Sequence, residues 1–398
     1  MKIKIKRILA AIFPKYNLVS YIYGFCVFLL MMPYFMWNIV SNLKILFLPF
    51  FLIIGYLNRR HLEKIDLLVF PVFSLSLLYL ALPNELNSFG IIFTQMLLSF
   101  LIVDREKLIE FYKCFKIILV VLFCFSLVNY FLVILSVPLN YNIIEPLNSL
   151  KIGVYYQQYP FLVVPVNIVD NIISPSENIL PRFCGVFDEP GVVGTFTGMM
   201  LFAERCNLKN KGNIILLIAG VFSFSLFFFI MLLISILLFT KRRIIFTVLL
   251  MVSLSYILTK DDPVVDNYVW SRFEIENGKL KGDDRSEEGL DDYFKSFVKS
   301  DNFLYGTWKD SYPGSASYKQ FVIRFGFIFT ITLLSLFIAI AAQISKNIKG
   351  VFISVFLFLL LMYQRPFIFD PAYFFLVISS FVLIGQFFKK KIDDSFSL

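Results

Sequence analysis

The run PRFCGVFDEPGVVG, residues 181 to 194, concentrates side chains that can do chemistry: one arginine, two adjacent carboxylates and three glycines. Arg182 carries a planar guanidinium that can bind an oxyanion through paired hydrogen bonds. Asp188 and Glu189 can accept a proton from a reacting hydroxyl. Both also precede Pro190, an order typical of a helix start, where acidic side chains lie near the positive end of the helix dipole. The alternative interpretation is therefore a helix cap with a neighbouring salt bridge from Arg182.

A second polar stretch, at about residues 260 to 317, is rich in cations. Arginine and lysine in such numbers suggest an anionic ligand, and the alternative is the solvated face of a long loop. The acidic residues that follow Arg285 predict a short helix. The basic residues of this stretch are Arg272, Lys279, Lys281, Arg285, Lys295, Lys299 and Lys309.

Several kinds of chemistry have no support in the sequence. The only histidine, His61, lies beside Arg59 and Arg60. There is no HExxH motif, no CxxC pair, no Walker loop and no GxGxxG fingerprint. Hydrolytic zinc sites, redox dithiols and nucleotide-driven transport are therefore not indicated. We expect neither a metal nor a cofactor.

The elements that must position these residues are membrane spans. Apolar residues make up 58% of the chain and its mean hydropathy is +0.77, whereas a soluble domain has roughly 45–50% apolar residues. This composition predicts an all-α, polytopic membrane protein with about twelve spans, because each apolar run can cross a bilayer core of about 30 Å. We expect one membrane domain over residues 1–398, with two long loops at 137–189 and 260–317. The predicted spans are 18–40, 45–57, 66–82, 89–103, 116–136, 190–203, 213–224, 226–239, 244–259, 318–342, 351–363 and 372–388.

Clusters of lysine and arginine predict the orientation. Cytoplasmic loops carry an excess of these residues, so their positions place both termini in the cytoplasm and both long loops outside. The net charge of +9 follows from this bias and from attraction to anionic lipid headgroups. Membrane lipids are therefore expected partners, and nucleic acid is not. The basic clusters on the predicted inner side are at 2–7, 59–64, 105–116, 205–211, 241–243, 346–349 and 389–391.

Residues 213–239 allow two interpretations. A single long helix would put the basic residues 241–243 on the side opposite to those at 204–211. Two short spans broken at Ser223-Phe224-Ser225 keep both clusters in the cytoplasm. Such a break is acceptable only where protein or water satisfies the freed backbone groups. We predict the broken hairpin.

Several segments together resemble a known family. Arg182 to Pro190, RFCGVFDEP, looks like the RxxGxFxEP signature of the bacterial O-antigen and capsule polysaccharide polymerases, the Wzy type. The break at Ser223 and Ser225 is similar to the T/S-x-S between two short spans of that family. The segments that resemble its second loop and closing block are GDDR ending at Arg285, YGTW at 305–308 and SASYKQFVIRFG at 315–326.

The resemblance implies a reaction and its partners. Such a polymerase transfers a growing polysaccharide from a polyprenyl diphosphate carrier to a hydroxyl of another lipid-linked repeat unit, at the outer face of the bacterial inner membrane. It uses no metal or nucleotide. Charge develops on the diphosphate as the glycosidic bond breaks, and fixed arginines can stabilise that charge. The implied partners are the lipid-linked oligosaccharide and, as a candidate, a regulator of polysaccharide chain length.

The resemblance also implies catalytic roles. Arg182 and Arg285 would bind the diphosphate, and Arg272 would be a weaker third cation. Glu189 is the preferred general base by position, and Asp188 is the alternative. Both carboxylates could instead orient Arg182, and the substrate itself could supply the base.

Two further residues are predicted to bind substrate. Arg324 lies about six residues into its predicted span, roughly 9 Å along the helix axis, where it would either face the site or snorkel to the headgroups. Tyr318 would stack on a sugar ring, although an interfacial aromatic belt explains a tyrosine equally well.

Two other classes remain as alternatives. The related O-antigen ligases carry a histidine near the start of the closing block, where this chain has Ser315, Ala316 and Ser317. A flippase for lipid-linked sugars also has about twelve spans, but it would place charges inside its spans and keep its loops short. This chain has long loops and mostly uncharged spans, so the polymerase is favoured over both.

Overall fold

The computed structural model shows a chain that is mostly helical, with a few short strands. The helices are α1 (Leu18–Leu30), α2 (Leu43–Leu57), α3 (Asp66–Ala81), α4 (Ser88–Ile102), α5 (Arg105–Ile134), α6 (Pro190–Ala203), α7 (Lys211–Phe222), α8 (Leu226–Phe239), α9 (Leu290–Phe297), α10 (Tyr318–Phe325), α11 (Phe327–Ser345), α12 (Ile348–Gln364) and α13 (Pro371–Phe396). The strands are β1 (Asn142–Ile144), β2 (Val154–Tyr159), β3 (Val166–Asn171), β4 (Ile275–Glu276) and β5 (Lys279–Leu280). The structure describes residues 16–37, 43–81, 88–145, 154–160, 164–171, 181–240, 256, 259–260, 266, 270–276, 279–280, 289–308, 317–364, 366 and 370–396.

Within the described residues, three helices are long and apolar enough to cross a membrane: Arg105–Ile134, Phe327–Ser345 and Pro371–Lys389. Shorter apolar helices of 10–17 residues accompany them. A span of about 20 apolar residues matches the hydrocarbon core of a bilayer, so the protein is membrane-embedded. The predicted helical membrane class is confirmed at this level. The number of about twelve spans and their orientation stay predictions.

The chain divides into two compact units. The first consists of Met1–Leu18, Met31–Ile39 and Cys114–Asp283, and the second of Val19–Leu30, Val40–Lys113 and Asp284–Leu398. The expected single membrane domain stays a prediction.

In the first unit, α6 packs against both α7 and α8. The predicted break is confirmed, because α7 ends at Phe222 and α8 begins at Leu226. The ring of Phe202, near the end of α6, lies 5.5 Å from that of Phe239, at the end of α8, so α6 and α8 are parallel. Helix α7 runs back along α6, and the two short helices α7 and α8 form the expected hairpin.

A small antiparallel sheet of β1, β2 and β3 lies in the first long loop. In its longer pairing, Val154 is opposite Asn171 and Tyr159 is opposite Val166. Strands β4 and β5 form a separate short hairpin, in which Ile275 is opposite Leu280. These strands were not expected from the sequence.

The second unit contains an aromatic core and a buried salt bridge. The ring of Tyr23 stacks on that of Phe111 at 3.9 Å. At one end of the unit Arg60 pairs with buried Asp66 at 2.7 Å, and Gln343 Nε2 donates to the same carboxylate at 2.7 Å. A buried carboxylate needs such partners, because removing it from water without them is costly.

Two predicted spans differ from the structure. The span 18–40 ends as an α-helix at Leu30, because Pro33 disfavours helical geometry at Met32, which adopts φ 54°. The span 318–342 is divided by Gly326, at φ +85°, into α10 and α11. The span 244–259 lies almost wholly outside the described residues.

Candidate functional site

The arginine of the RFCGVFDEP run is anchored on the break between α7 and α8. Arg182 donates from Nε to the carbonyl oxygen of Ser223 at 3.1 Å and from Nη2 to that of Phe224 at 3.2 Å. The amide of Phe183 donates to the carbonyl of Phe222 at 2.8 Å. Carbonyls at a helix C-terminus lack partners within the helix. The guanidinium therefore caps α7 and offsets the negative end of its dipole.

Helices α6 and α8 begin side by side at this same end. Glu189 is the N-cap of α6 and Ser225 that of α8, and neither side chain caps its own helix by a hydrogen bond. The two starts touch because Gly194 lacks a side chain: a Cβ there would lie 2.2 Å from the Ser225 Cβ. The predicted helix start at Asp188, Glu189 and Pro190 is confirmed, since α6 begins at Pro190.

The two serines of the break are buried, and they differ in hydrogen bonding. Ser223 is fully buried, and its Oγ donates to the carbonyl of Gly220 at 2.6 Å. Ser225 is 2% exposed, and its Oγ has no hydrogen-bond partner. Buried polar groups without a partner are uncommon in folded proteins and deserve a functional explanation.

Charges of both signs lie at this end: the guanidinium of Arg182, and the carboxylates of Asp188 and Glu189 at the start of α6. The start of a helix carries about half an elementary positive charge, and two helices, α6 and α8, start here. The opposing negative end of α7 is offset by Arg182. Helix starts with free amides bind oxyanions such as phosphate. Arg182 and the start of α8 can therefore attract an anion, while the two carboxylates before α6 can accept a proton beside it.

The three-stranded sheet supports the loop that precedes α6. The hydroxyl of Tyr156 on β2 donates to the carbonyl of Asp188. The amide of Asn167 on β3 donates to the carbonyl of Gly185 at 2.9 Å, and Gln158 Nε2 donates to Asn167 Oδ1 at 3.1 Å. The Tyr156 side chain and the Asn167 backbone therefore hold the main chain of the loop. The buried Asn167 side chain, which Gln158 orients, also donates from Nδ2 to the carbonyl of Phe187 at 3.5 Å.

Tyr156 remains a hydrogen-bond donor over the whole physiological pH range. Burial raises the pKa of its hydroxyl far above the ordinary value, and the nearby Cys184, Asp188 and Glu189 act in the same direction. The ring is also packed, with Trp37 at a centroid distance of 5.9 Å. The donor that positions the Asp188 carbonyl is therefore always available.

Sequence reasoning missed Tyr156, Gln158 and Asn167. The signal that could have found them is the β-branched and aromatic residues of VYYQQY and VNIVDN, which favour strands. Alternate residues of a strand face one side. Tyr156 and Gln158 are buried while Tyr155 and Gln157 are partly exposed.

Of the predicted site residues, the structure brings three together in the first unit. Arg182, Asp188 and Glu189 lie on one loop, and all three are partly exposed. Arg272 lies in a short 3-10 helix of the same unit, Ser271–Phe273. Its side chain and the whole of Arg285 lie outside the described residues.

Tyr318 and Arg324 lie in the second unit, on α10. Tyr318 stacks on Tyr363 with ring centroids 5.6 Å apart. Next to it, Lys319 pairs with Asp291 of α9 at 2.7 Å. Arg324 lies near the end of α10 with its guanidinium carbon 5.3 Å from the Phe325 ring centroid. The predicted position of Arg324 inside a continuous span is wrong, because the helix breaks after Phe325.

The YGTW segment docks on this break. The amide of Thr307 donates to the carbonyl of Ile323 at 2.8 Å, and that of Trp308 donates to the carbonyl of Arg324 at 3.0 Å. Gly306 and Gly326 face each other with φ of +82° and +85°, and a Cβ on either would lie within 2.6 Å of backbone atoms. Only glycine accepts both the conformation and the close approach.

Among the described residues, no group of three or more His, Cys, Asp or Glu side chains is arranged to hold a metal ion. Compared with protein-family models, curated proteins and solved structures, the chain matches none of them. The resemblance to the polysaccharide polymerases stays a prediction from the sequence motifs. The geometry of the first unit is therefore the structural basis for a functional proposal.

Proposed function

We propose that this protein is a polysaccharide polymerase of the bacterial inner membrane, a metal-independent glycosyltransferase that uses a sugar donor linked to polyprenyl diphosphate. The observation that carries the proposal is the meeting of Arg182 with the starts of α6 and α8 at one end of the first unit. A diphosphate leaving group gains negative charge as its bond to the sugar breaks. Arg182 and the start of α8, placed beside the leaving group, would stabilise that charge.

In the proposed reaction, a hydroxyl of the acceptor attacks the anomeric carbon of the donor chain. The bond between that carbon and the diphosphate oxygen breaks, and polyprenyl diphosphate leaves with the bonding electrons. The acceptor proton passes to Glu189 or Asp188, which flank the start of α6. Each well-placed donor to the leaving group would contribute about 2.7–4 kcal/mol in the transition state.

Four further residues and the membrane topology belong to the same proposal. Arg285 and Arg272 would add cations to the diphosphate site, and Tyr318 and Arg324 would contact the sugar or the headgroup region. The protein would cross the membrane about twelve times with both termini in the cytoplasm. Its substrate is a lipid-linked oligosaccharide, and a regulator of polysaccharide chain length is a candidate partner.

The general base can be tested with Glu189→Gln, which keeps the side-chain shape but cannot accept a proton. The melting temperature of the purified variant, measured in parallel, distinguishes a loss of folding from a loss of proton acceptance. We expect turnover to fall by about 10²–10⁴-fold, measured as polymer formed from lipid-linked repeat units. Near-normal turnover would transfer the role to Asp188, which Asp188→Asn then tests in the same assay.

Deleting the gene distinguishes the proposal from its alternatives. Without a polymerase, export and ligation continue, so surface lipopolysaccharide should carry a single repeat unit. Without a ligase, the surface should show bare core, with polymer left on its lipid carrier. Without a flippase, the surface should show bare core and single units should accumulate inside. An electrophoretic profile of bare core alone would contradict the polymerase.

A further inference from the structure

An apolar groove of about 210 Å³ lies in the second unit between α10, α11 and α12. Its walls are Phe321 of α10, Leu333 and Leu334 of α11, and Phe358, Leu359 and Met362 of α12. Apart from the two tyrosines, Thr330 is the only hydroxyl-bearing residue among the described residues that line the groove. Its hydroxyl donates to the carbonyl of Gly326 at 2.8 Å. The groove therefore offers its occupant hydrocarbon contacts.

The groove opens on a face that carries exposed apolar side chains. Leu359 is 45% exposed and Tyr363 52%, and Ile331 on the neighbouring face of α11 is 43% exposed. Helix α11 is one of the helices long and apolar enough to span a membrane. Exposed apolar surface on such a helix is solvated by lipid hydrocarbon. The natural occupant is therefore a chain that enters from the bilayer.

One end of the groove carries a polar boundary. The rings of Tyr318 and Tyr363 stack there, and the ammonium of Lys319 lies 5.9 Å from the Tyr318 ring centroid. Lys319 also pairs with Asp291, and both side chains keep about a fifth of their surface exposed. The ion pair of Lys319 with Asp291 beside the two aromatic rings makes this mouth of the groove polar, which suits the end of a lipid chain that adjoins its headgroup.

The size of the groove limits the occupant. Pockets that enclose a whole drug-sized ligand have about 300–1,000 Å³, and this groove has about 210 Å³. It therefore holds a segment of chain and leaves the headgroup and any sugar outside. The segment is the part of the chain next to the headgroup, because the polar boundary lies at the mouth.

We propose that the groove lined by Leu334, Leu359 and Met362 binds the first isoprene units of a polyprenyl diphosphate, with its headgroup outside the polar mouth beside Tyr318. This inference rests on the proposed function, in which two lipid-linked substrates meet and each brings a polyprenyl chain. The groove binds the chain of one of them. Its bulky apolar walls suit a branched isoprenoid, and the same chemistry would admit a phospholipid chain less selectively.

The test uses the full-length protein in lipid nanodiscs and a farnesyl diphosphate that carries a diazirine on its first isoprene unit. After illumination, mass spectrometry identifies the labelled peptides. We expect label on residues 318–334 and 358–363. Leu359→Trp, which fills the groove from its exposed rim, should reduce that label at least tenfold. Phe352→Trp is the matched control, because Phe352 is 71% exposed on the same helix and lies outside the groove.

A second probe separates the sources of chain. A phosphatidylglycerol with a diazirine on its acyl chain should label the groove weakly, and unlabelled farnesyl diphosphate should displace it. Equal labelling by both probes, or labelling that Leu359→Trp leaves unchanged, would overturn the proposal. Both tryptophan variants replace exposed side chains, and a melting temperature like the parent's would show that they fold.

The outcome also separates this inference from the function on which it rests. If farnesyl diphosphate labels the protein elsewhere and the deletion strain displays single repeat units, the groove assignment fails and the polymerase stands. If the groove is labelled as expected but the deletion strain shows bare core, the site stands and the polymerase fails.

Discussion

The two ends of the bundle formed by α6, α7 and α8 differ in how their helix ends and charges are satisfied. At one end Asn210 is the N-cap of α7, and its side chain accepts from the Gly212 amide at 3.0 Å. There, Lys116 pairs with Glu204 at 2.6 Å and also donates to Asn213 at 2.6 Å. At the other end, α6 and α8 begin without side-chain caps.

The difference separates stability from function. The end with Lys116 satisfies its polar groups internally, as a buried charge requires. The end with Arg182 keeps two positive helix starts and an unpartnered buried hydroxyl on Ser225. Functional sites often keep buried polar groups without hydrogen-bond partners and helix ends without caps, which are rare elsewhere in a protein. We therefore assign folding stability to the first end and anion binding to the second.

The largest expected effect concerns the end with the Lys116–Glu204 ion pair. Lys116→Met leaves the Glu204 carboxylate without its cation, so we expect the protein to lose about 3–5 kcal/mol of stability. The measurement is the melting temperature of the purified protein in detergent. The double variant Lys116→Met/Glu204→Leu should recover much of the loss, since it removes both charges. A single variant that melts like the parent would contradict the assignment.

The next effect concerns the end with Arg182. Arg182→Ala removes the cap of α7 and a cation from the proposed site, so we expect polymer formation to fall by about 10²–10³-fold. Arg182→Lys should rescue poorly, because an ammonium cannot match the two carbonyls of Ser223 and Phe224 as a guanidinium does. Lys209→Ala is the control, since Lys209 is exposed beyond the opposite end of α6. Full activity of Arg182→Lys would exclude the two-carbonyl geometry.

A smaller effect tests the contact between the two helix starts. Gly194→Ala drives a Cβ against Ser225, and we expect a loss of about 1–3 kcal/mol of stability from overpacking. Ser225→Gly should suppress this loss, because it removes the Cβ that lies 2.2 Å away. Gly198→Ala on the same helix meets Met231 at 3.3 Å and should cost less. Equal melting temperatures for the two single variants would contradict the close approach.

The sequence predicted the local features of the site well. The helix start at Pro190 and the break at Ser223 to Ser225 follow from proline position and from the charge of flanking loops. The sheet was missed because its strands are short and lie in a loop between apolar runs that dominate the hydropathy signal. The break at Gly326 was missed because its cause, the docking of Gly306, is separated from it by twenty residues of sequence.

The roles of side chains were harder to predict than the elements. From the sequence, Arg182 was expected either to bind a diphosphate or to pair with a neighbouring carboxylate. In the structure it binds carbonyl oxygens that lie about forty residues further along the chain. A sequence does not show which backbone carbonyls a fold leaves unsatisfied, because that depends on tertiary packing.

The most direct test measures whether the end of the bundle with Arg182 binds an anion. Inorganic pyrophosphate should raise the melting temperature of the purified full-length protein, because a ligand of the folded state stabilises it. The dependence on concentration gives a Kd, measured at constant ionic strength. We predict that Arg182→Ala raises this Kd at least tenfold, about 1.4 kcal/mol, while Lys209→Ala leaves it unchanged. An unchanged Kd in Arg182→Ala would contradict this prediction.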